Sequence, residues 1–337
     1  MIGEPGDPRG KRVLKVVRLI GIITGIAVAG FLLHQVGWNS IRHTMALLGW
    51  NYSIILAYPM VWTFLNTEGW RSALHKTYAG ISLVHLAGIR VAGETFNSLL
   101  PSGYVGGEPL KAKLLSGRVP LSEAASSVLI AKAAQSLALI LYLGLGLTLG
   151  EVKGPSPLTQ RPTLTAIALL TLGIGIFTAL LAKGSFSRLG LWLHRMTKLS
   201  WLQRQEDRLI ALDASIGAFY REGKGRFLMS ILWHSAGWLA GALEVAVIFY
   251  LIGTPVTWRQ AWFISAMGQL GAIVGLWVPA GVGLYEGGHY MAAAMLGLPP
   301  ALGLSVSLIR RVREIFWDLI GLFLFWKLSK GEKPKEA

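Results

Sequence analysis

Apolar stretches of membrane-span length recur along this chain, and they limit its possible folds more than any motif does. Runs at 19–36, 47–66, 124–149, 162–182, 227–252 and 300–326 approach or exceed the ~20 residues that cross a hydrocarbon core as a helix. A backbone surrounded by lipid must satisfy its own N–H and C=O groups, which restricts such segments to helices. Of the 337 residues 53% are hydrophobic and 15% charged, against roughly 25% charged in ordinary globular domains. A soluble fold is excluded on that ground. Trp38, Trp50, Trp62, Trp70, Trp258, Trp277 and Trp326 flank the runs, as the aromatic belts of membrane proteins do. There is no cysteine, so disulfides and thiolate metal sites are excluded.

Two further apolar stretches, 81–100 and 259–278, are each followed by a Pro/Gly-rich break and a short return, 109–117 and 284–297. At about 1.5 Å per residue the first return falls short of a core of about 30 Å, so each unit reads as a re-entrant helical hairpin. The fold class expected is an all-α polytopic membrane protein with six full transmembrane helices and two re-entrant hairpins. Residues 1–18 read as a disordered basic N-terminus, 19–326 as a single membrane domain and 327–337 as a basic tail. The run 19–36 follows Arg9, Lys11, Arg12, Lys15 and Arg18 and reads as a retained span, not a cleaved signal. Segment 183–226 is basic, yet Leu209, Leu212, Ile216 and Phe219 recur at helical spacing. It reads as an amphipathic element on the cytoplasmic face.

The net charge of +15 does not point to nucleic acid, because the basic residues cluster in alternate loops. Of the 32 Lys and Arg, only Arg42, Lys153, Arg161 and Arg259 fall in outer loops, and Arg90, Lys132, Arg310, Arg311 and Arg313 lie within membrane segments. The other 23 are cytoplasmic in this layout, Lys111, Lys113 and Arg118 at the end of the first hairpin among them. Both termini are therefore expected in the cytoplasm, with an anionic lipid surface as partner on that side.

The two hairpins carry one motif. Pro101-Ser102-Gly103-Tyr104-Val105-Gly106-Gly107-Glu108 returns as Pro279-Ala280-Gly281-Val282-Gly283-Leu284-Tyr285-Glu286, with Pro, Gly and Glu at equal offsets. The register continues without a gap, so that Lys132 meets Arg310 and Gln135 meets Arg313. The repeat halves are about 81–150 and 259–328. Loop charge makes the first hairpin enter from the cytoplasm and the second from outside, an inverted repeat of the sort that builds alternating-access transporters.

The candidate site follows from this repeat. Gly103, Gly106, Gly107, Gly281 and Gly283 suit tight backbone with φ > 0 among them, and Pro101 and Pro279 end the preceding helices. Glu108 and Glu286 open the short helices, where a carboxylate either caps the helix or meets a ligand. Ionisable groups at membrane depth are costly and mark function by default. Arg310, Glu314 and Asp318 stand at i, i+4 and i+8 and can pair along one face, as can Arg90 and Glu94. Lys132 has no acid at three or four residues on its own helix, leaving it to a phosphate. Glu286 and His289 form half a metal motif at most. No G-x-S-x-G, Walker A or H-E-x-x-H occurs, so no cofactor and no hydrolytic or nucleotide-driven chemistry is expected.

The string GETFNSLLPSGYVGGEPLKAKLL at 93–115 resembles the signature of the flippase-like membrane domain of lysylphosphatidylglycerol synthases. VPAGVGLYEGG at 278–288, LGLPP at 296–300 and SLIRRVRE at 307–314 are most similar to the hopanoid-biosynthesis-associated members. The resemblance implies a bacterial inner-membrane protein that translocates a lipid without making it, since the bifunctional synthases use a separate soluble domain for synthesis. Positions that match the family pattern are Glu94, Asn97, Pro101, Gly106, Gly107, Glu108, Pro279, Gly281, Glu286, Arg310 and Arg313. The function expected is lipid translocation linked to hopanoid or modified phospholipid metabolism. The alternative is a non-transporting scaffold that recruits lipid-biosynthetic enzymes through 183–226.

Overall fold

The computed structural model describes residues 46, 48–78, 80–99, 106–150, 161–197, 205–275 and 283–331, and among these there is no strand. The expected first span at 19–36 lies outside the described residues, as do the hairpin tips with Pro101, Gly103, Pro279 and Gly281. Two helices, α1 (Tyr52–Ala57) and α2 (Pro59–Ala73), lead into the first hairpin, with Pro59 opening α2 where its missing N–H costs nothing. The hairpin is α3 (Leu83–Leu99) and α4 (Glu108–Leu115), followed by α5 (Leu121–Leu149). Then come α6 (Arg161–Ala182), α7 (Phe186–Thr197), α8 (Glu206–Glu222) and α9 (Lys224–Leu251). The second hairpin is α10 (Trp258–Val274) and α11 (Leu284–Met295), and α12 (Pro300–Gly331) closes the order. A capping box starts α10: Thr257 Oγ1 accepts from Gln260 N–H, and the Gln260 side chain accepts from Thr257 N–H.

The first unit α3–α4–α5 recurs as α10–α11–α12 at the offset that carries Glu108 onto Glu286. The correspondence reaches further back than the motif, since α2 ends at Ala73 and α9 at Leu251 with the same separation. By length and composition α5 and α9 are membrane spans, and Ile167–Leu181 with Phe186–Met196, bent by 102°, make a third if read as one. The longest helix, α12, has 32 residues, but Arg310, Arg311, Arg313, Glu314 and Asp318 interrupt its apolar run.

Packing exchanges partners between the units. Each short helix packs inside its own unit, whereas α3 lies on α12 and α10 lies on α5. At the centre α2 packs along α9. One apolar core gathers Ile55, Leu143, Phe249, Phe263 and Ile309, and another gathers Trp70, Leu86, Leu115, Ile130 and Phe219. Tyr142 of α5 is stacked between Trp238 of α9 and Trp262 of α10, at ring separations of 5.6 and 5.8 Å. Trp262 Nε1 also donates to the Tyr142 carbonyl at 3.1 Å, so the aromatic contact is anchored at both edges.

Within segment 183–226 two helices divide the apolar faces between them. The Leu209–Phe219 stripe of α8 turns inward: Ile216 and Phe219 are buried against the body, and Leu209 lies against Gly190 of α7. The outward apolar face belongs to α7, where Leu189, Trp192 and Met196 are exposed. Asp213 of α8 fixes α7 in place by accepting from Phe186 N–H at 3.0 Å, Ser187 N–H at 2.8 Å and Ser187 Oγ at 2.6 Å.

The α3–α12 contact depends on Gly321, because a Cβ there would collide with the Thr95 side chain and approach the Val91 carbonyl. Gly321→Val is expected to cost about 1–3 kcal/mol by overpacking. A lower melting temperature of the detergent-solubilised protein, with little change for Gly225→Ala in open space at the start of α9, checks this.

Candidate functional site

Charged and polar side chains meet in two clusters, one in each unit. The first is built on α3, α4 and α5. Asn97 of α3 is its hub: Oδ1 accepts from Gly107 N–H at 2.7 Å, while Nδ2 donates to Glu94 Oε2 at 3.1 Å and to Glu108 Oε1 at 3.0 Å. Lys111 Nζ reaches Glu94 Oε1 at 2.7 Å and Glu108 Oε2 at 3.2 Å, Lys132 Nζ reaches Glu108 Oε1 at 3.1 Å, and Arg90 reaches Glu94 at 3.3 Å. Five charged groups thus close on one another, three cationic and two anionic. A cleft of about 10 Å³, the room of about one water, lies beside them and is lined by Trp70, Arg90, Glu108, Lys111, Lys132 and Gln135.

Local geometry explains the residue choices. Gly107 has φ −81°, so its glycine is not there for left-handed backbone, and Gly106 is likewise not among the positive-φ glycines. What Gly107 provides is close approach, since a Cβ would strike the Gly93 carbonyl across the α3–α4 contact. Among the described glycines of the motif, Gly283 has the expected positive φ, at 86°. Glu108 does not cap α4; its carboxylate is used on Asn97, Lys111 and Lys132. Glu286 divides its oxygens: Oε2 accepts from Gly283 N–H at 2.7 Å and Oε1 holds Arg311 Nη2 at 2.7 Å.

The second cluster is built on α9, α11 and α12. Arg311 bridges Glu286 and Glu314 at 2.7 Å each. Glu244 of α9 holds Arg310 at 2.9 Å and also pairs with Arg313. The Arg313 guanidinium lies over the Trp62 ring at 4.6 Å, and those of Arg310 and Arg311 lie 5.8 and 5.2 Å from the Tyr285 ring. The expected pairing along α12 is therefore not made: Arg310 turns to α9 and not to Glu314, and Asp318 meets Ser98 of α3. The reason is burial. Packing of α9 brings Glu244 to Arg310, while Arg311 keeps Glu314 of its own helix as well as Glu286.

Lys132, which has no acid three or four residues away on its own helix, finds Glu108 across the unit and is not left to a ligand alone. Two members of the clusters escaped the sequence reading. Lys111 looked like a cytoplasmic topology marker, yet it is buried between two carboxylates. Its place three residues after Glu108 is the signal that finds it. Glu244 is the lone acid in the apolar run 227–252, and the cost of a charge at that depth is the signal that finds it. Among the described residues no group of His, Cys, Asp and Glu is placed to hold a metal ion. His289 Nδ1 donates to the Tyr285 carbonyl at 3.0 Å.

A helical body with span-length apolar helices and charge clusters closed inside it defines an integral membrane protein. The comparison with known families agrees and makes it specific. The chain belongs to the family described as the lysylphosphatidylglycerol synthase TM region, whose model matches residues 18–320, and so to a membrane-domain family associated with lipid metabolism. The match takes in both clusters and the α7–α8 segment. No curated protein and no solved structure matches the chain.

Glu244 is fully buried between two arginines, so Glu244→Gln strands both and is expected to cost about 3–5 kcal/mol. Thermal unfolding in detergent measures the loss. Glu314→Gln, at the more exposed end of the Arg311 bridge, should cost much less.

Proposed function

We propose that the protein translocates a lipid across the bacterial inner membrane, with the polar head group passing between the two units while the acyl tails stay in lipid. In this reading six spans and two hairpins form an inverted repeat, both termini are cytoplasmic, and the substrate belongs to hopanoid or modified phospholipid metabolism. The observation that carries the proposal is the first cluster. Arg90, Lys111 and Lys132 outnumber Glu94 and Glu108, they border a cleft, and they sit on a broken element that occurs twice. Its internal ion pairs offset all but one of the three cationic charges when no head group is present, and a head group exchanges with them. A site that binds without bond-making needs only such reversible pairs, and the protein acts here as a carrier and not as an enzyme. Glu94, Asn97, Gly106, Gly107, Glu108 and Lys132 form the first half of the path, to which the sequence motif adds Pro101 and Gly103. Glu286, Arg310 and Arg313 form the second half, to which the motif adds Pro279 and Gly281.

The exposed face of α7 fits the same picture as an interfacial helix. Leu189, Trp192 and Met196 would lie among acyl chains, with Arg188 and Arg195 at the level of anionic head groups.

A trans-leaflet assay with fluorescent phospholipids and reconstituted protein tests the proposal. Glu108→Gln and Arg310→Ala are each expected to slow movement at least about tenfold, equivalent to about 1.4 kcal/mol of barrier, with the fold retained. Normal rates in both variants would overturn the site assignment. Unchanged lipid distribution with loss of a bound biosynthetic enzyme, on replacing Trp192 and Met196 by Ser, would favour the scaffold instead.

A further inference from the structure

The buried acids of this protein are not equivalent. Among the described residues four are buried: Glu68, Glu108, Glu244 and Asp318. Glu68 holds Arg71 at 2.7 Å, Glu108 holds Lys111 and Lys132, and Glu244 holds Arg310 and Arg313. Asp318 has no cation. It is 6% exposed, and what it meets are two hydroxyls of α3, Ser98 Oγ at 3.3 Å and the Thr95 side chain. The neighbouring charges are committed elsewhere. On its own helix Arg311 is bridged by Glu286 and Glu314. On α3 Arg90 pairs with Glu94. Of the other helices against α12, α11 offers Glu286 and His289, with His289 held by a carbonyl, and α9 offers Glu244, already taken by two arginines.

Place matters as much as chemistry. Asp318 lies where α3 of the first unit packs on α12 of the second, one turn before Gly321 and at the level of Ser98, close to the end of α3. The contact is tight, with Gly321 pressed on Thr95. A carboxylate without a counter-ion is costly in such a contact and cheap in water. Two states of Asp318 therefore favour two states of the contact: a neutral acid suits the closed packing, and a charged one suits a packing that admits water.

We propose that Asp318 is a proton-binding site that couples proton uptake to closure of α3 on α12, and so to the relative position of the two units. This deepens the translocation reading, which supplies the motion that the proton would drive. By linkage, whatever separates the two helices releases the proton, and whatever takes the proton away loosens their contact.

The chain has no cysteine, so pairs of spin labels can be placed on the native background at Val84→Cys in α3 and Lys330→Cys in α12. The experiment reads the distance between the labels across a pH series in detergent micelles, together with the infrared carboxyl band. The expected result is a pH-dependent change of distance with a carboxyl band that titrates alongside it. In Asp318→Asn, which keeps the shape and the hydroxyl contacts, the labels stay at the short distance at every pH and the band is lost. Ser98→Ala, which keeps the acid, moves the midpoint of the transition. The same pH-dependent distance in Asp318→Asn, an invariant distance in the parent protein, or a change that follows sodium at fixed pH would overturn the proposal. None of these measurements involves lipid movement. A failed trans-leaflet assay beside an intact titration would count against translocation alone.

Discussion

Charge inside an apolar body is costly unless charge closes it, and both clusters of the structure depend on that requirement. An isolated ion removed from water costs several kcal/mol even after relaxation, and removing one member of a buried pair exposes that cost. The chain meets it by bringing acids and bases together across helices: Glu94 and Glu108 to Lys111, Glu108 to Lys132, Glu244 to Arg310 and Arg313, and Glu286 to Arg311. The pairs act as struts between elements that apolar packing alone would let slide. They also explain why irregular backbone is tolerated near them, since Gly107 N–H donates to Asn97 and Gly283 N–H to Glu286.

Between the struts, apolar and aromatic surfaces do the packing. On α12 Ile309 joins one core and Phe325 the other, with the charged stretch from Arg310 to Asp318 between them. A similar division holds on α5, where Ala131 and Ala133 belong to one core and Tyr142 and Leu143 to the other, with Gln135 between. A polar layer between two apolar ends gives a body whose middle is wettable and whose ends are not.

The sequence made the helical class and the order of short and long helices legible, because span length and the Pro/Gly/Glu register are local features. Both short helices and both long helices that follow them appear where the register puts them, and the Arg90–Glu94 pair was visible from spacing alone. Partner choice was less accessible. Spacing along α12 favoured Arg310 with Glu314, and nothing local shows that α9 brings Glu244 closer. The α8 stripe had the spacing of an interfacial helix, but periodicity marks a buried face without saying whether lipid or protein covers it. Exchange of α3 and α10 between units is likewise a tertiary fact with no local signature.

The two copies of the motif share a frame and differ in electrostatics. The register that carries Glu108 onto Glu286 carries Lys111 onto His289 and Lys132 onto Arg310. In the first unit Lys111, three residues after the glutamate, joins Glu108 of α4 to Glu94 of α3, so that a local site forms beside a cleft. In the second unit a histidine held by the Tyr285 carbonyl takes that place, and the glutamate's partner comes from α12 instead. Glu286 then ties α11 to α12, while Glu244 ties α12 to α9, so the second cluster spans three helices. The difference lies at several matched positions: His289 stands against Lys111, Arg311 against Ala133 and Glu244 against Asn66, so the second cluster takes its charge pairs from helices where the first has small or neutral residues.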